Sequence, residues 1–222
     1  MLKQVYVRMA QAMPMLVPGG AARYALRTGK PISAGQCWLL SLGAIYHLDR
    51  MIALDIPWWN VAATGDVEAF LSRRPQARVF EYGSGASTVW LARRAGSVSS
   101  VEHDSGWAGQ LAPKLAGYPH VSLTVAGFDP LGVADEQAYV RSIDGTGLYD
   151  LIVVDGRLRA ACLSRALSHL QPDGIVVFDD SGRRRYRDTI EQCGLRETHY
   201  HGLSYCVPYP DHTSVLASGP WP

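Results

Sequence analysis

The sequence has no excess of charge of either sign, because 21 Lys and Arg residues against 20 Asp and Glu residues leave a formal net charge of +1 at pH 7. A nucleic-acid partner held mainly by electrostatics is therefore not expected. The one dense basic run, Arg183–Arg185, is typical of a solvated helix face. The four cysteines form no CxxC pair, which argues against a disulfide framework or a zinc site and favours reduced thiols in a cytoplasmic protein.

Long apolar runs are also missing. Residues 31–48 carry no formal charge, yet Pro31, Gly35, Gln36 and His47 interrupt them, and a spanning helix needs about 20 mostly apolar residues. We expect a packed amphipathic helix here and no transmembrane span, with weak contact to a membrane surface as the alternative. No secretory signal is predicted, because polar residues and prolines break the apolar stretch near the N-terminus.

The chain changes character near residue 77, where short apolar runs begin to alternate with helical segments. A run that is apolar throughout is typical of a strand buried on both faces of a parallel sheet. These runs are Arg78–Tyr82, Val98–Glu102, Val121–Val125, Asp150–Val154 and Ile175–Phe178. The helices predicted between them are Thr88–Ala95, Gly106–Leu115, Ala160–Leu170 and Arg184–Cys193. The alternation favours a doubly wound α/β sheet, which Leu195–Tyr200 and Thr213–Ala217 could end as an antiparallel pair.

We therefore predict two parts, a helical N-terminal extension or lid over residues 1–76 and an α/β domain over residues 77–222. The extension is expected to end in a helix at Ala62–Leu71 that leads into the first strand. The preceding aromatic pair, Trp58 and Trp59, could wall a pocket or pack the extension on the sheet, and packing is the favoured interpretation.

A glycine turn joins the first predicted strand to the helix that follows it. Gly83 and Gly85 allow a tight turn and a close approach between ligand and backbone, and Ser87 or Thr88 could cap the helix. Ligands of open α/β sheets bind beyond the carboxyl ends of the strands. The segment Glu81–Thr88 therefore predicts a site for a nucleotide-like ligand.

The glycine turn lacks the residues that phosphate-binding loops need. Thr88 stands where a dinucleotide fingerprint has its third glycine, and the Gly-Lys pair of a P-loop is missing. Instead Glu81 precedes the turn, and its carboxylate would repel pyrophosphate but suits a ligand with an ammonium and a sulfonium. Glu102 ends the second strand, at the position from which a carboxylate binds both ribose hydroxyls.

Four motifs follow one another at the ends of the predicted strands: Val79–Gly85, Val101–Asp104 with Trp107, Tyr149–Gly156, and Leu170–Asp180. In this order and spacing they resemble the class I S-adenosylmethionine (SAM)-dependent methyltransferases over about residues 77–217. The resemblance implies SAM as cofactor and a Rossmann-like, mostly parallel seven-stranded sheet. The Asp-Gly after the fourth strand and the Asp-Asp after the fifth are similar to the motifs at these positions in bacterial small-molecule and sugar-type methyltransferases.

The resemblance also implies roles for individual residues. Glu81, Gly83 and Gly85 would line the methionine end of the cofactor, and Glu102 would bind the ribose. His103 and Trp107 are the candidates for contact with the adenine. The full set predicted to bind the cofactor is Glu81, Gly83, Ser84, Gly85, Ser87, Thr88, Glu102, His103, Trp107 and Asp155.

Three acids that end the fourth and fifth strands, Asp155, Asp179 and Asp180, are the candidate catalytic residues. Converging carboxylates repel one another unless a cation or hydrogen bonds compensate. One hypothesis is a Mg²⁺ ion bound by all three, similar to catechol-type methyltransferases, which would lower the pKa of a substrate hydroxyl. The favoured hypothesis needs no metal: Asp155 is the general base, Asp180 caps a helix, and Arg157 or Arg159 neutralises the acids or binds an anionic substrate.

The sequence thus predicts a SAM-dependent methyltransferase that acts on a small-molecule or glycan-like acceptor, at oxygen. The reaction is a direct displacement at the methyl group, so positioning supplies most of the catalysis. Two alternatives stay open, an aminopropyl transferase that uses decarboxylated SAM and a catalytically silent SAM-binding regulatory or scaffold protein. An NAD-dependent enzyme is disfavoured by Glu81 and Thr88. A homodimer is compatible with each of these functions.

Overall fold

The computed structural model describes residues 33–127, 136–219 and 221. Among these residues three α-helices precede the sheet: α1 (Ala34–Ser41), α2 (Leu48–Leu54) and α3 (Val61–Ser72). The segment 31–48, predicted as one amphipathic helix, lies partly outside the described residues; the rest forms α1, a 3₁₀ turn at Leu42–Ala44 and the first residue of α2. None of the helices in the described part of the chain is long and apolar enough to cross a membrane.

The described residues form one seven-stranded sheet. Its strands are β1 (Arg78–Tyr82), β2 (Ser97–Glu102), β3 (Val121–Val125), β4 (Tyr149–Val154), β5 (Leu170–Asp179), β6 (Arg196–Leu203) and β7 (Pro210–Ala217). Their order is β3-β2-β1-β4-β5-β7-β6, in which β7 runs antiparallel to both neighbours and the other pairs are parallel. The predicted mostly parallel seven-stranded sheet with an antiparallel end is confirmed.

Helices cover both faces of this sheet: α4 (Ala86–Ala92), α5 (Ser105–Leu115), α6 (Glu136–Arg141), α7 (Arg159–Ala166) and α8 (Arg184–Gln192). Because strand side chains alternate between faces, Phe80 and Tyr82 pack against α7 and α8, whereas Val79 packs against α3 and α4. A third cluster joins α2, including Met51, to α4 and α5. The described helices before the sheet therefore contribute to the hydrophobic core.

Several boundaries differ from the sequence prediction, and the largest differences lie between α7 and β5. The helix predicted at Ala160–Leu170 ends at Ala166, because Leu170 already pairs with Tyr149 as the first residue of β5. A shift of register then allows Ile175 to pair with Leu151. The short helix α6, which the sequence did not predict, precedes β4 and contributes the buried Tyr139.

The strand order reverses beside β1, whose neighbours are β2 and β4. Since β1, β2, β4 and β5 are parallel, their carboxyl ends lie along the same edge of the sheet. The predicted site residues lie near the ends of these four strands, in the loops that follow them and in the first turns of the next helices. The sheet thereby brings together motifs that are up to about 100 residues apart in the chain.

Candidate functional site

A cavity of about 1020 Å³ opens at the carboxyl ends of β1, β2, β4 and β5. Small-molecule sites typically occupy about 300–1,000 Å³, so this cavity lies at the upper end of that range. Its wall contains most of the predicted site residues: Gly83, Ser84, Gly85, Ser87, Glu102, His103, Trp107, Asp155 and Asp180. The other three, Glu81, Thr88 and Asp179, lie behind the wall and support it.

The two glycines of the turn after β1 serve different purposes. Gly83 has a φ of 90°, and a Cβ atom there would lie 2.5 Å from the Cα of Gly156, so the loops after β1 and β4 pack backbone to backbone. A Cβ atom on Gly85 would meet its nearest neighbours, Ser87 and Trp107, only at 3.9 Å. The close approach of a ligand therefore concerns Gly85, whereas Gly83 is needed for the turn itself.

Glu81 is fully buried and accepts hydrogen bonds from three hydroxyls, those of Ser87 at 2.5 Å, Thr88 at 2.6 Å and Ser100 at 2.7 Å. Burial raises the pKa of Glu81 to about 7 despite these donors. The N-cap of α4 is Gly85 and neither Ser87 nor Thr88. Thr88 nevertheless takes part in capping, because its hydroxyl at the third helical position accepts from the N–H of Gly85 over 2.9 Å, as in a capping box. Glu81 fixes the start of α4 to β1 and β2.

Glu102 lies at the end of β2, is only 3% exposed and still borders the cavity. Its Oε2 accepts from the backbone N–H and the hydroxyl of Ser84, over 2.9 and 3.0 Å. Its Oε1 accepts from the N–H groups of His103 and Asp104, over 2.8 and 2.9 Å. The carboxylate therefore joins the loops after β1 and β2 at the position predicted for the ribose.

The two candidates for the adenine lie on the β2 side of the cavity. His103 holds its Nδ1 at 2.7 Å from Oε1 of Glu102 and its Nε2 at 3.3 Å from Nε of Arg157. The indole of Trp107 donates to the carbonyl oxygen of Ser84 over 2.8 Å. Both rings are thereby fixed to the glycine turn or to the loop beside it, and their contact with adenine stays a prediction.

The three predicted catalytic acids converge, and the guanidinium of Arg159 lies among them. Its Nη2 donates to Oδ1 of Asp155 over 2.9 Å, and its Nη1 lies 3.0 Å from Oδ2 of Asp180 and 3.5 Å from Oδ2 of Asp179. Arg159 also donates to the backbone carbonyls of Asp155 and Asp179. Because this guanidinium is only 11% exposed, it neutralises the acids from within the wall.

Further donors contact two of these carboxylates. Asp155 accepts from the indole Nε1 of Trp59 over 3.2 Å, and Asp179 accepts from the hydroxyl of Thr213 over 2.7 Å. Burial raises the pKa of Asp155 to about 6, although Arg159 acts in the opposite direction. Burial also raises the pKa of Asp179, and the nearby Asp155 raises it further. Asp155 and Asp180 both border the cavity, but Asp180 is paired with two guanidinium groups, those of Arg159 and Arg183, so Asp155 is the candidate base.

The predicted Mg²⁺ site is not supported. A divalent ion would need the space and the oxygen atoms that Arg159 already takes, since the guanidinium contacts all three carboxylates. Asp180 is additionally paired with Arg183 over 2.6 Å. Within residues 33–127 and 136–219, no group of three or more His, Cys, Asp or Glu side chains could hold a metal ion. The cation that compensates the acids is the guanidinium of Arg159.

Several residues of the wall were not singled out as site residues from the sequence. Tyr46 and Met51 reach the cavity from the segment before the sheet, as does Trp58 of the aromatic pair, so part of the region assigned to packing borders the site. Arg183 and Arg185, interpreted as a solvated helix face, also line it. Their position directly after the acids that end β5 is the signal that could have located them.

Comparison with known proteins agrees with this geometry. A family model described as "Methyltransferase domain" matches residues 80–181, which include the loops after β1, β2, β4 and β5. No curated protein matches the chain by sequence.

Three solved structures illustrate the likeness in fold. An rRNA methylase from Streptococcus thermophilus is 16% identical, with 68% of this chain and 93% of that chain covered and a TM-score of 0.50. A Streptococcus mutans protein in complex with SAH is 14% identical, with 69% and 96% covered and a TM-score of 0.50. A precorrin-6y C5,15-methyltransferase from Geobacter metallireducens is 14% identical, with 69% and 86% covered and a TM-score of 0.52.

Proposed function

We propose that this chain, a member of the class I SAM-dependent methyltransferase superfamily, transfers the methyl group of SAM to an oxygen atom of a small-molecule or glycan-like acceptor. One observation carries the proposal. Asp155, whose pKa is raised to about 6, borders the same cavity as Gly85 and Glu102. The proposed base and the proposed nucleoside-binding turn thus border one space.

The wall of the cavity favours a particular orientation of the cofactor. Glu102 would accept hydrogen bonds from the ribose hydroxyls, between the rings of His103 and Trp107 on one side and the turn at Gly85 on the other. The methionine end would then lie over β1 and β4, with the sulfonium toward Asp155. The acid Glu102 near the turn and the lack of a lysine in it favour this ligand over a pyrophosphate.

The proposed reaction is a single displacement. An acceptor oxygen attacks the methyl carbon, the carbon–sulfur bond breaks with its electron pair going to sulfur, and S-adenosylhomocysteine (SAH) leaves. The hydroxyl proton passes to Asp155, which is a stronger base than an ordinary aspartate because burial raises its pKa. Arg159 and Trp59 keep this carboxylate in place. General-base assistance of this kind contributes about 10²–10⁴-fold to the rate.

The segment before the sheet would cover the acceptor. Tyr46 and Trp58 contact each other edge to face, with ring centroids 5.0 Å apart, and both border the cavity beside Met51. An apolar wall of this kind excludes water and offers ring faces on which a sugar or a planar acceptor can lie. This part of the proposal gives the predicted N-terminal extension the function of a lid.

The direct test uses SAM labelled in its methyl group with ¹⁴C. The protein is incubated with a cell extract separated into small molecules, RNA and protein, and label is followed in each fraction. Transfer into a small-molecule fraction, with the product stable as a methyl ether or ester and lost with Asp155→Asn, supports the proposal. Label that enters only RNA or protein contradicts it.

Calorimetry with SAM, decarboxylated SAM and SAH separates the two alternatives. A preference for decarboxylated SAM would favour aminopropyl transfer. Tight binding of SAM without labelling of any fraction would favour the catalytically silent protein.

A further inference from the structure

The cavity wall on the β5 side carries two arginines that the methyl transfer does not use. Arg183 and Arg185 both line the cavity, whereas Arg184 between them does not. Arg183 is paired with Asp180 over 2.6 Å, yet its side chain is 51% exposed. Arg185 contacts the ring and hydroxyl of Tyr186, and no described carboxylate contacts it. Of the two arginines, Arg185 is therefore the one whose charge no described carboxylate compensates, whereas Arg183 shares Asp180 with Arg159.

The position of these arginines in α8 opposes the usual electrostatics of a helix. The N-terminus of a helix carries partial positive charge and unpaired N–H groups, so acids are favoured there and cations are not. In α8 the N-cap is Arg183, no side chain caps the helix, and Arg184 and Arg185 occupy the first turn without any acid. Such a departure from local preference is expected where a site binds a ligand. A bound anion would satisfy both the guanidinium groups and the N-terminus of α8.

The strand order places this charge away from the proposed cofactor. The adenosine half is assigned to the ends of β2 and β1, and the reacting methyl group to the end of β4. Arg183 and Arg185 follow β5, one strand further from β2. The anion that they would bind is therefore on the acceptor side of the methyl group, not in the cofactor.

We infer that the acceptor carries a phosphate or carboxylate group, which Arg183, Arg185 and the N-terminus of α8 bind while an acceptor oxygen lies between Asp155 and the methyl group. This inference rests on the proposed function, whose acceptor it restricts to an anionic class. It also assigns to the basic run a purpose beyond solvation.

The test measures binding rather than turnover. Inorganic phosphate is titrated calorimetrically into the protein, with and without saturating SAH, against chloride at the same ionic strength. We expect saturable binding in the millimolar range, a Kd at least fivefold higher for Arg185→Gln, and a Kd within twofold of the parent for the matched control Arg184→Gln. The affinity for SAH should stay within twofold of the parent for both variants.

Phosphate binding that does not saturate would overturn the inference, and so would an equal loss of phosphate affinity in Arg184→Gln. A parallel loss of SAH affinity in Arg185→Gln would also overturn it, because the arginines would then bind the carboxylate of the cofactor. Failure of the parent protein to bind SAH would instead contradict the proposed function. The titration of phosphate without SAH would still test the inference in that case. Titration with glucose 6-phosphate, glucuronate and glucose then distinguishes phosphate from carboxylate. Equal affinity for the neutral sugar would also contradict the inference.

Discussion

Trp59 donates a hydrogen bond from its indole Nε1 to Oδ2 of Asp155 over 3.2 Å, although 96 residues separate the two in the chain. Trp59 is fully buried and contacts Trp90 edge to face. The next residue, Asn60, caps α3 and donates its N–H to Thr213, whose hydroxyl in turn binds Asp179. The segment before the sheet therefore holds the proposed base directly, in addition to its contribution to the core.

Replacement of Trp59 by Phe should shift the pH dependence of methyl transfer. The indole N–H stabilises the ionised form of Asp155, so its loss raises the pKa of that carboxyl above about 6. Because the base acts when deprotonated, the pH of half-maximal rate should rise, by about one unit. Trp38→Phe is the matched control, since its indole donates to the carbonyl of Val207 away from the cavity. Equal profiles for parent and Trp59→Phe would remove Asp155 as the titrating base.

Substitutions of the two glycines of the turn should have different effects, one on the stability of the fold and the other on the affinity for SAH. In Gly83→Ala the new methyl group would meet Gly156 at a positive φ, so we expect a loss of about 1–3 kcal/mol or more in the free energy of unfolding. Gly85→Ala has room for its methyl group, so its stability should stay near that of the parent while its affinity for SAH falls. Urea unfolding and calorimetry measure the two effects. The opposite pattern would contradict the assignment of Gly83 to the turn.

Glu102→Ala should raise the Kd for SAH by roughly tenfold or more, because hydrogen bonds to a charged acceptor contribute about 1.5–3 kcal/mol. Ser100→Ala is its control, since this variant removes a buried hydroxyl of the same strand that contacts Glu81 and does not border the cavity. We expect the Kd of the control to change by less than about threefold. If Glu102→Ala binds SAH as the parent does, the ribose is not bound at the end of β2.

The stability of the protein should fall as the pH rises from about 4.5 to 7, because Glu81 keeps its proton in the folded state up to about pH 7 but loses it near 4.5 when unfolded. A shift of this size corresponds to about 3 kcal/mol. Glu81→Gln should therefore lose less stability than the parent over this range, as measured by urea unfolding at several pH values.

Glu197→Gln is the contrast to this variant. A hydrogen bond from Arg187 lowers the pKa of Glu197 to about 2, so this carboxylate stabilises the fold above pH 4.5 and loses that effect as the pH falls toward 2. Its replacement should leave the fall between pH 4.5 and 7 in place. A parent-like fall in Glu81→Gln would mean that Glu81 is ionised in the folded protein throughout.

The sheet could be predicted because its buried strands are continuous apolar runs, and the convergence of Asp155, Asp179 and Asp180 follows from parallel strands. The cation that neutralises these acids could not be identified from the sequence. Asp155 and Arg159 stand at i and i+4, the spacing of an ion pair on a helix, yet α7 begins only at Arg159. Whether the guanidinium or a metal compensates the acids depends on where the loop after β4 turns, which spacing does not determine.

The role of Glu81 could not be predicted from the sequence either. Its three hydroxyl donors come from α4 and from β2. Ser100 contacts Glu81 because the register of β1 and β2 pairs these two residues. The contacts of Trp59 likewise depend on packing between segments far apart in the chain. Local pattern therefore located the motifs, whereas tertiary contacts decided which side chains face the cavity and which support its wall.

A crystal structure of the protein with SAH would show whether the cavity beside Glu102, Gly85 and Asp155 binds SAM. We expect density for the ribose against Glu102, with the homocysteine sulfur toward Asp155 and the methionine end over the turn at Gly85. A cavity left empty by SAH but filled by a phosphorylated nucleotide would contradict it.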